Sequence, residues 1–230
     1  MKITAIDPHK RHPDWWHISL DGAYAFTLDG GTVVAEQLTV GSELEAQDVE
    51  RLRGVAEERR LLDAALSYLT VRPRSRMEVR RRLMQPRRNR PSPPPELVDR
   101  VLARLERMHQ LDDRDFAEYW VEQRERFSPR AGYAMQQELR QRGVDRETAE
   151  AATAAGAGAR DEQDEARALA AAQQRLRTLH ESDYEAFRTK LGSFLLRRGF
   201  RYGLAQSVVR QLWEEQRGER PDDEEDGAYE

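Results

Sequence analysis

Cysteine is absent from the 230 residues, which removes disulfides, thiolate metal sites and thiol nucleophiles together and fits a reducing, cytoplasmic setting. Lysine is nearly absent too: Lys2, Lys10 and Lys190 are the whole supply, so the positive charge is carried almost entirely by arginine. No apolar run approaches the roughly 20 residues that span a bilayer, and the N-terminal segment lacks the apolar stretch of a signal peptide. A membrane partner is therefore not expected. Glycine-rich phosphate loops, a G-x-S-x-G elbow and an H-E-x-x-H pair are also missing, and His109 and His180 stand too far apart in sequence to form a catalytic constellation. The expectation is a binding protein rather than an enzyme, with no catalytic residues, no metal and no cofactor.

Apolar residues make up 38% of the chain and charged residues 35%, which is less core material than an average globular domain carries. Small helical modules, each with its own buried face, satisfy that balance better than one large core. Residues 1–44 stand apart. Trp15 to Leu20 and Ala23 to Leu28 are short strand-like runs joined by Asp21-Gly22, a two-residue hairpin signal, and Thr32 to Ala35 reads as a further short strand. Alternation in the hairpin places Trp15 and Trp16 on opposite faces, one toward a core. His9, His12 and His17, with Asp7 and Asp14 between them, match no metal-site template and read as a mobile N-terminus leading into the hairpin.

From about Glu43 onward the apolar spacing turns helical. Ser75-Arg-Met-Glu78 and Ser182-Asp-Tyr-Glu185 have capping-box spacing, and Asp112-Asp113 and Ser128-Pro129 mark further helix starts. An internal repeat turns these helices into an architecture. Leu139-Arg-Gln-Arg-Gly143-Val144 matches Leu195-Leu-Arg-Arg-Gly199-Phe200, and Leu83 lies the same 56 residues before Leu139 (139 − 83, 195 − 139). In the later two, glycine follows where a left-handed cap is needed, and Val98, Val101, Leu102 and Leu105, like Val208, Val209 and Leu212, mark a third helix. The fold class is mainly α: tandem three-helix repeats in an elongated array behind a small N-terminal β-hairpin element. The expected divisions are a β element over 1–44, a first helical unit over 45–108 with a Pro/Arg loop, three-helix repeats over 109–155 and 160–215, and an acidic disordered tail over 216–230.

The net charge of −4 hides a sharp polarity. Arg72 to Arg107 holds twelve arginines against four acids, a balance of +8, while Glu214 to Glu230 holds nine acids against two arginines, a balance of −7. Arg72, Arg74, Arg76, Arg80, Arg81, Arg82, Arg87 and Arg88, with Arg130, Arg140, Arg142, Arg197 and Arg198 in the later repeats, are the candidate contacts to nucleic acid or to a protein partner. Guanidinium groups fork onto phosphate oxygens and give salt-sensitive, sequence-independent affinity. The same groups can meet carboxylates on a protein, or form a solvated face in an arginine-biased composition, and both readings stand at this point.

Leu111-Asp-Asp-Arg-Asp-Phe-Ala-Glu-Tyr-Trp-Val121, Ser128-Pro-Arg-Ala-Gly132 and Gln137-Glu-Leu-Arg-Gln-Arg-Gly-Val-Asp145 together resemble the central repeat of the RecX family. Arg72-Pro-Arg-Ser-Arg-Met-Glu-Val-Arg-Arg-Arg-Leu83 resembles the first. The likeness is close over about 60–155 and looser over 160–215. It departs from the family pattern in the loop Gln85 to Pro95 and in the Ala/Gly linker Ala154 to Arg160, which is expected to let the third unit pivot. The resemblance implies three-helix repeats and a monomeric, mainly inhibitory regulator of a RecA-type recombinase. It implies binding to the recombinase filament and to single-stranded DNA, with double-stranded DNA as a further ligand, that limits ATP turnover and strand exchange in DNA repair. A free-standing DNA-binding protein of helix-turn-helix type is the competing reading.

Overall fold

The computed structural model describes residues 1–10, 12–86, 91–153, 160–179 and 183–218, and the chain divides into two compact units, Met1–Leu111 and Asp112–Glu230. The first unit opens with β1 (Ile3–Pro8), β2 (Trp15–Leu20) and β3 (Ala23–Asp29), antiparallel and adjacent in that order. Asp21 and Gly22 link β2 to β3 with φ of 47° and 82°, the left-handed pair that a two-residue hairpin turn demands. The Asp-Gly hairpin is thus where its sequence puts it.

Two expectations about this element fail. Thr32 to Ala35 is not a strand but most of helix α1 (Gly30–Ala35). Asp29 accepts from the Thr32 N–H at 3.1 Å and from its hydroxyl at 2.7 Å, and that cap outweighs the β preference of Thr-Val-Val. Nor are the histidines part of a loose terminus. His17 lies in β2, with Nδ1 2.8 Å from Thr27 Oγ1 on β3, and the His9 N–H donates to the Trp15 carbonyl at 2.7 Å. Among the described residues no group of His, Cys, Asp and Glu is placed to hold a metal. Trp16 packs against the core, while Trp15 faces a groove between β3 and the next helix, under the Arg59 guanidinium at 5.9 Å.

That helix, α2 (Ala46–Leu69), serves two cores. Val49, Leu52 and Ala56 in its first half close the sheet together with Ile3, Ile18, Phe26 and Leu28. Leu61, Leu62 and Ala65 in its second half join α3 (Arg76–Met84) and α4 (Pro95–Arg107) around Val79, Leu83, Val98, Val101, Leu102 and Leu105. One helix with successive apolar faces therefore fastens the β element to the first three-helix set. Burying each large aliphatic side chain contributes roughly 1.5–3 kcal/mol, so a few such residues suffice for each small core.

The second unit holds two further sets: α5 (Asp113–Phe127), α6 (Gly132–Gln141) and α7 (Arg146–Thr153), then α8 (Arg160–Leu176), α9 (Tyr184–Arg197) and α10 (Tyr202–Gly218). The repeat seen in the sequence is a repeat of buried positions. Ser75, Ala131 and Phe187, then Val79, Met135 and Leu191, then Leu83, Leu139 and Leu195 occupy equivalent places, and all nine are buried. Gly143 and Gly199 both have φ of 88°. After each, the next residue's N–H returns to the leucine carbonyl, Val144 to Leu139 at 3.1 Å and Phe200 to Leu195 at 3.3 Å. The same closure ends α4, where Gln110 donates to the Leu105 carbonyl at 2.9 Å and His109, with φ of 52°, takes the left-handed place of glycine.

Helix starts match the sequence in part. Ser75 accepts from the Glu78 N–H at 3.1 Å, and Asp112 caps α5. Ser128, expected to start a helix, instead ends α5, and α6 is entered through Ala131. The cap of α9 is Asp183, which accepts from the Ala186 N–H at 2.9 Å, rather than Ser182, which lies outside the described residues. His180, the Ala/Gly linker from 154 to 159, Arg87, Arg88 and tail residues 219–230 also lie outside them; residues 216–218 belong to α10.

Candidate nucleic-acid interface

The arginines of the first unit are largely engaged within it. Arg76 Nε donates to Glu106 at 2.8 Å and Arg80 Nε to Asp99 at 3.1 Å, so the face they share is turned toward α4. Arg80 holds the Asp99 carboxyl below its ordinary value by hydrogen bonding and charge, and Asp99 raises Arg80 in the same way. Arg72 reaches Glu78 at 3.3 Å and the Pro73 carbonyl at 2.8 Å. Arg74 lies over the Tyr68 ring at 4.2 Å, with Arg82 over the same ring at 5.8 Å. Arg81 is exposed and has no ion-pair partner among the described residues. A stripe read as a row of guanidiniums is, in three dimensions, mostly a set of ion pairs and ring contacts. The Arg76–Glu106 and Arg80–Asp99 pairs are nearly half exposed, so each adds little stability and leaves its arginine partly accessible.

In the second unit the arrangement reverses: two guanidiniums share one carboxylate. Glu138 on α6 accepts from Trp120 Nε1 at 2.9 Å and Arg124 Nε at 2.8 Å through Oε2, and its Oε1 lies 3.1 Å from Arg130 Nη1. Arg124 and Arg142 lie over the Trp120 ring, at 4.6 and 3.8 Å from its centroid. Arg198 arrives from the end of α9, donating through Nη1 to Ser128 Oγ at 3.0 Å and to the Pro129 carbonyl at 2.9 Å, with Phe194 4.4 Å from its guanidinium. Burial, with repulsion from Arg130 and Arg124, pushes the Arg198 guanidinium below its ordinary value. Among the described residues no carboxylate forms an ion pair with Arg198.

This cluster sits where the second and third helical sets meet. Arg167 on α8, only 6% exposed, pairs with Glu125 on α5 at 2.6 Å and with Asp164 at 3.3 Å. Asp164 accepts from the Gly132 N–H at 2.9 Å, the Ala131 N–H donates to the Arg198 carbonyl at 3.1 Å, and Ala131 packs into the third core. The linker expected to let the third unit pivot lies outside the described residues; beyond it, α8 meets α5 and α6 in a joint with a buried guanidinium in it.

Of the candidate residues, Arg130, Arg142 and Arg198 come together here, whereas Arg140 and Arg197 stand exposed on α6 and α9 with no ion-pair partner among the described residues. Arg124 and Glu138 were missed. Their signal is faint but present: Trp120 and Arg124 are one helical turn apart, so a cation on the ring's face was predictable.

Among the described residues no helix is long and apolar enough to cross a membrane. Residues 112–152 match the family description "RecX, second three-helix domain" and residues 161–209 match "RecX, third three-helix domain". The regulatory protein RecX of Prosthecochloris aestuarii is 36% identical over 145 residues, covering 63% of this chain and 88% of that protein. Its namesake from Halalkalibacterium halodurans is 29% identical over 154 residues, covering 65% of this chain and 56% of its own. The aligned part thus spans about half the length of several curated relatives. A crystal structure of a regulatory protein RecX superposes with a TM-score of 0.65 over 91% of this chain and 98% of its own at 22% identity, a likeness of fold.

Proposed function

Because the chain belongs to the RecX family of regulatory proteins, we propose that it regulates a RecA-type recombinase, mainly as an inhibitor, by binding the recombinase filament and its single-stranded DNA. The observation that carries this reading is the concentration of arginines, two of them paired with Glu138, at the joint of the two family-type helical sets. Anchored helical sets that present cations to a filament gain affinity through several weak contacts at high effective concentration. Bound in this way, the protein restrains ATP turnover and strand exchange without chemistry of its own, and acts in the cytoplasm as a monomer.

The test is strand exchange by a purified recombinase, with filament length followed by electron microscopy as the protein is added. Shorter filaments and less exchange product are expected. Protection of a defined duplex sequence, with filaments and exchange unaffected, favours a helix-turn-helix regulator instead.

A further inference from the structure

We propose that the phosphodiester backbone of single-stranded nucleic acid seats on Arg124, Arg130 and Arg198, at the joint between α5–α7 and α8–α10, rather than on the arginine stripe of α3. The inference rests on the reading that the chain binds single-stranded DNA and assigns that contact to residues.

Charge balance is the first argument. Two guanidiniums, Arg124 and Arg130, converge on Glu138, which accepts from Trp120 and Arg124 on one oxygen and pairs with Arg130 through the other. It has little capacity left for Arg198, whose Nη1 is satisfied by a hydroxyl and a carbonyl that carry no countercharge. Arg130 Nε is buried with no acceptor among the described residues. A cluster of this kind lacks an anion. Phosphodiester oxygens, which accept from forked donors two at a time, can supply that anion, as a carboxylate can. On α3, Arg76 is paired with Glu106 and Arg80 with Asp99, so a phosphate at either must compete with an existing partner; Arg81 has no ion pair among the described residues, but no hydrogen bond or ring contact among them fixes it either.

The neighbourhood favours nucleic acid over an acidic protein segment. Phe127, 64% exposed, immediately precedes Ser128, the residue whose hydroxyl Arg198 holds. An exposed ring beside clustered arginines offers stacking for a base next to a seat for its phosphate, the combination that sequence-tolerant single-strand binding uses. Pre-organisation is the third argument. Arg124 is fixed against Trp120 and Glu138, and Arg198 against Ser128 and Pro129, so little side-chain freedom remains to be lost on binding.

The test is fluorescence anisotropy of labelled oligothymidylate with the full chain, from about 50 to 200 mM salt. Arg130→Gln is expected to weaken binding roughly tenfold at the low end and to flatten the logarithmic salt slope by about 0.7, the share of one single-strand phosphate. Arg130→Lys, which keeps the charge and loses the fork, should recover part of that loss, and Phe127→Ala should weaken binding severalfold without changing the slope. Arg81→Gln and Arg80→Gln should stay within about twofold of the parent, since single exposed charges add little to a seated contact. Circular dichroism confirms that each variant is folded. Weakening by the α3 variants with Arg130→Gln unaffected overturns the assignment while leaving DNA binding intact. Loss of recombinase binding by Arg130→Gln without loss of oligothymidylate affinity also overturns it, and makes the cluster a protein-docking site. A parent chain that binds no oligothymidylate overturns both the assignment and the DNA-binding reading; inhibition of strand exchange then tells whether filament regulation survives.

Discussion

Arg167 on α8 donates through Nε and Nη2 to Glu125 Oε1 on α5, at 3.0 and 2.6 Å, across 42 residues of sequence and across the joint between two helical sets. The two partners are unequal: Arg167 is 6% exposed at its side chain and Glu125 41%. Removing the exposed partner therefore leaves a buried charge with only Asp164 beside it, whereas removing the buried one releases a carboxylate to water. Glu125→Ala is expected to cost about 1–3 kcal/mol, and Arg167→Met, which fills similar volume with an apolar chain, less than that. Hydrogen exchange of the α5, α6 and α8 amides reads the local loss. The opposite order of the two variants would mean that the joint is held by packing and not by this pair.

Leu139 is fully buried at the centre of the α5–α7 core, among Phe116, Met135 and Val144. Leu139→Ala is expected to lower stability by about 2–5 kcal/mol, and Leu195→Ala by a comparable amount, since the two occupy the same place in successive sets. Urea unfolding of the variants provides the measurement. A change below about 0.5 kcal/mol at Leu139, within the range of surface substitutions, would remove the position from the core and undo the repeat.

Glycine substitutions should separate two kinds of position. Gly199 combines φ of 88° with a Cβ position only 2.8 Å from the Ala134 Cβ, so Gly199→Ala adds left-handed strain and a clash across the joint, about 2–4 kcal/mol together. Gly54 lies inside α2 with nothing within 4 Å of its Cβ position, and Gly54→Ala is expected to stabilise by about 0.5–1 kcal/mol. Thermal unfolding of both variants checks the contrast; a neutral Gly199→Ala would show that α9 approaches α6 less closely than described.

Burial works against ionisation of Asp29, but hydrogen bonds from the Thr32 side chain and N–H and the charge of Arg59 outweigh it, holding the carboxyl below its ordinary 3.8. Its folded pKa is depressed, so the stabilisation is complete above 3.8 and is lost as pH falls through the lower folded value. Carboxyl carbon shifts in an NMR titration should place the midpoint of Asp29 under 3.8, and Asp29→Asn, which still caps, should remove that acid-linked loss at α1. A midpoint at or above 3.8 would contradict the capping geometry.

Local signals were legible and long-range ones were not. Asp21-Gly22 declared its turn because few residue pairs adopt two left-handed conformations in succession. The leucines 56 residues apart and the glycines after two of them declared the repeat, since each set must bury its own face. Thr32-Val-Val misled because β-branching is a weak preference beside a side-chain cap that only Asp29 three residues earlier supplies. Strand β1 stayed hidden because Ile3 and Ile6 are too few to show a period and pair with β2 only in space. The arginines were visible as a group, but their acids were not: Arg76 meets Glu106 30 residues away and Arg80 meets Asp99 19 residues away. A count of like charges in sequence therefore overstated the free cationic surface of α3 and understated that of the joint, where Arg124, Arg130 and Arg198 assemble from three separate segments.

The most direct measurement of the central claim is ATP hydrolysis by a RecA-type recombinase on single-stranded DNA while the full chain is titrated in at fixed salt. Hydrolysis is predicted to fall in a saturable way as the protein is added, and Arg130→Gln should shift that curve to higher concentration. A hydrolysis rate that stays constant up to one copy per subunit, with the protein shown to be folded, would contradict the account.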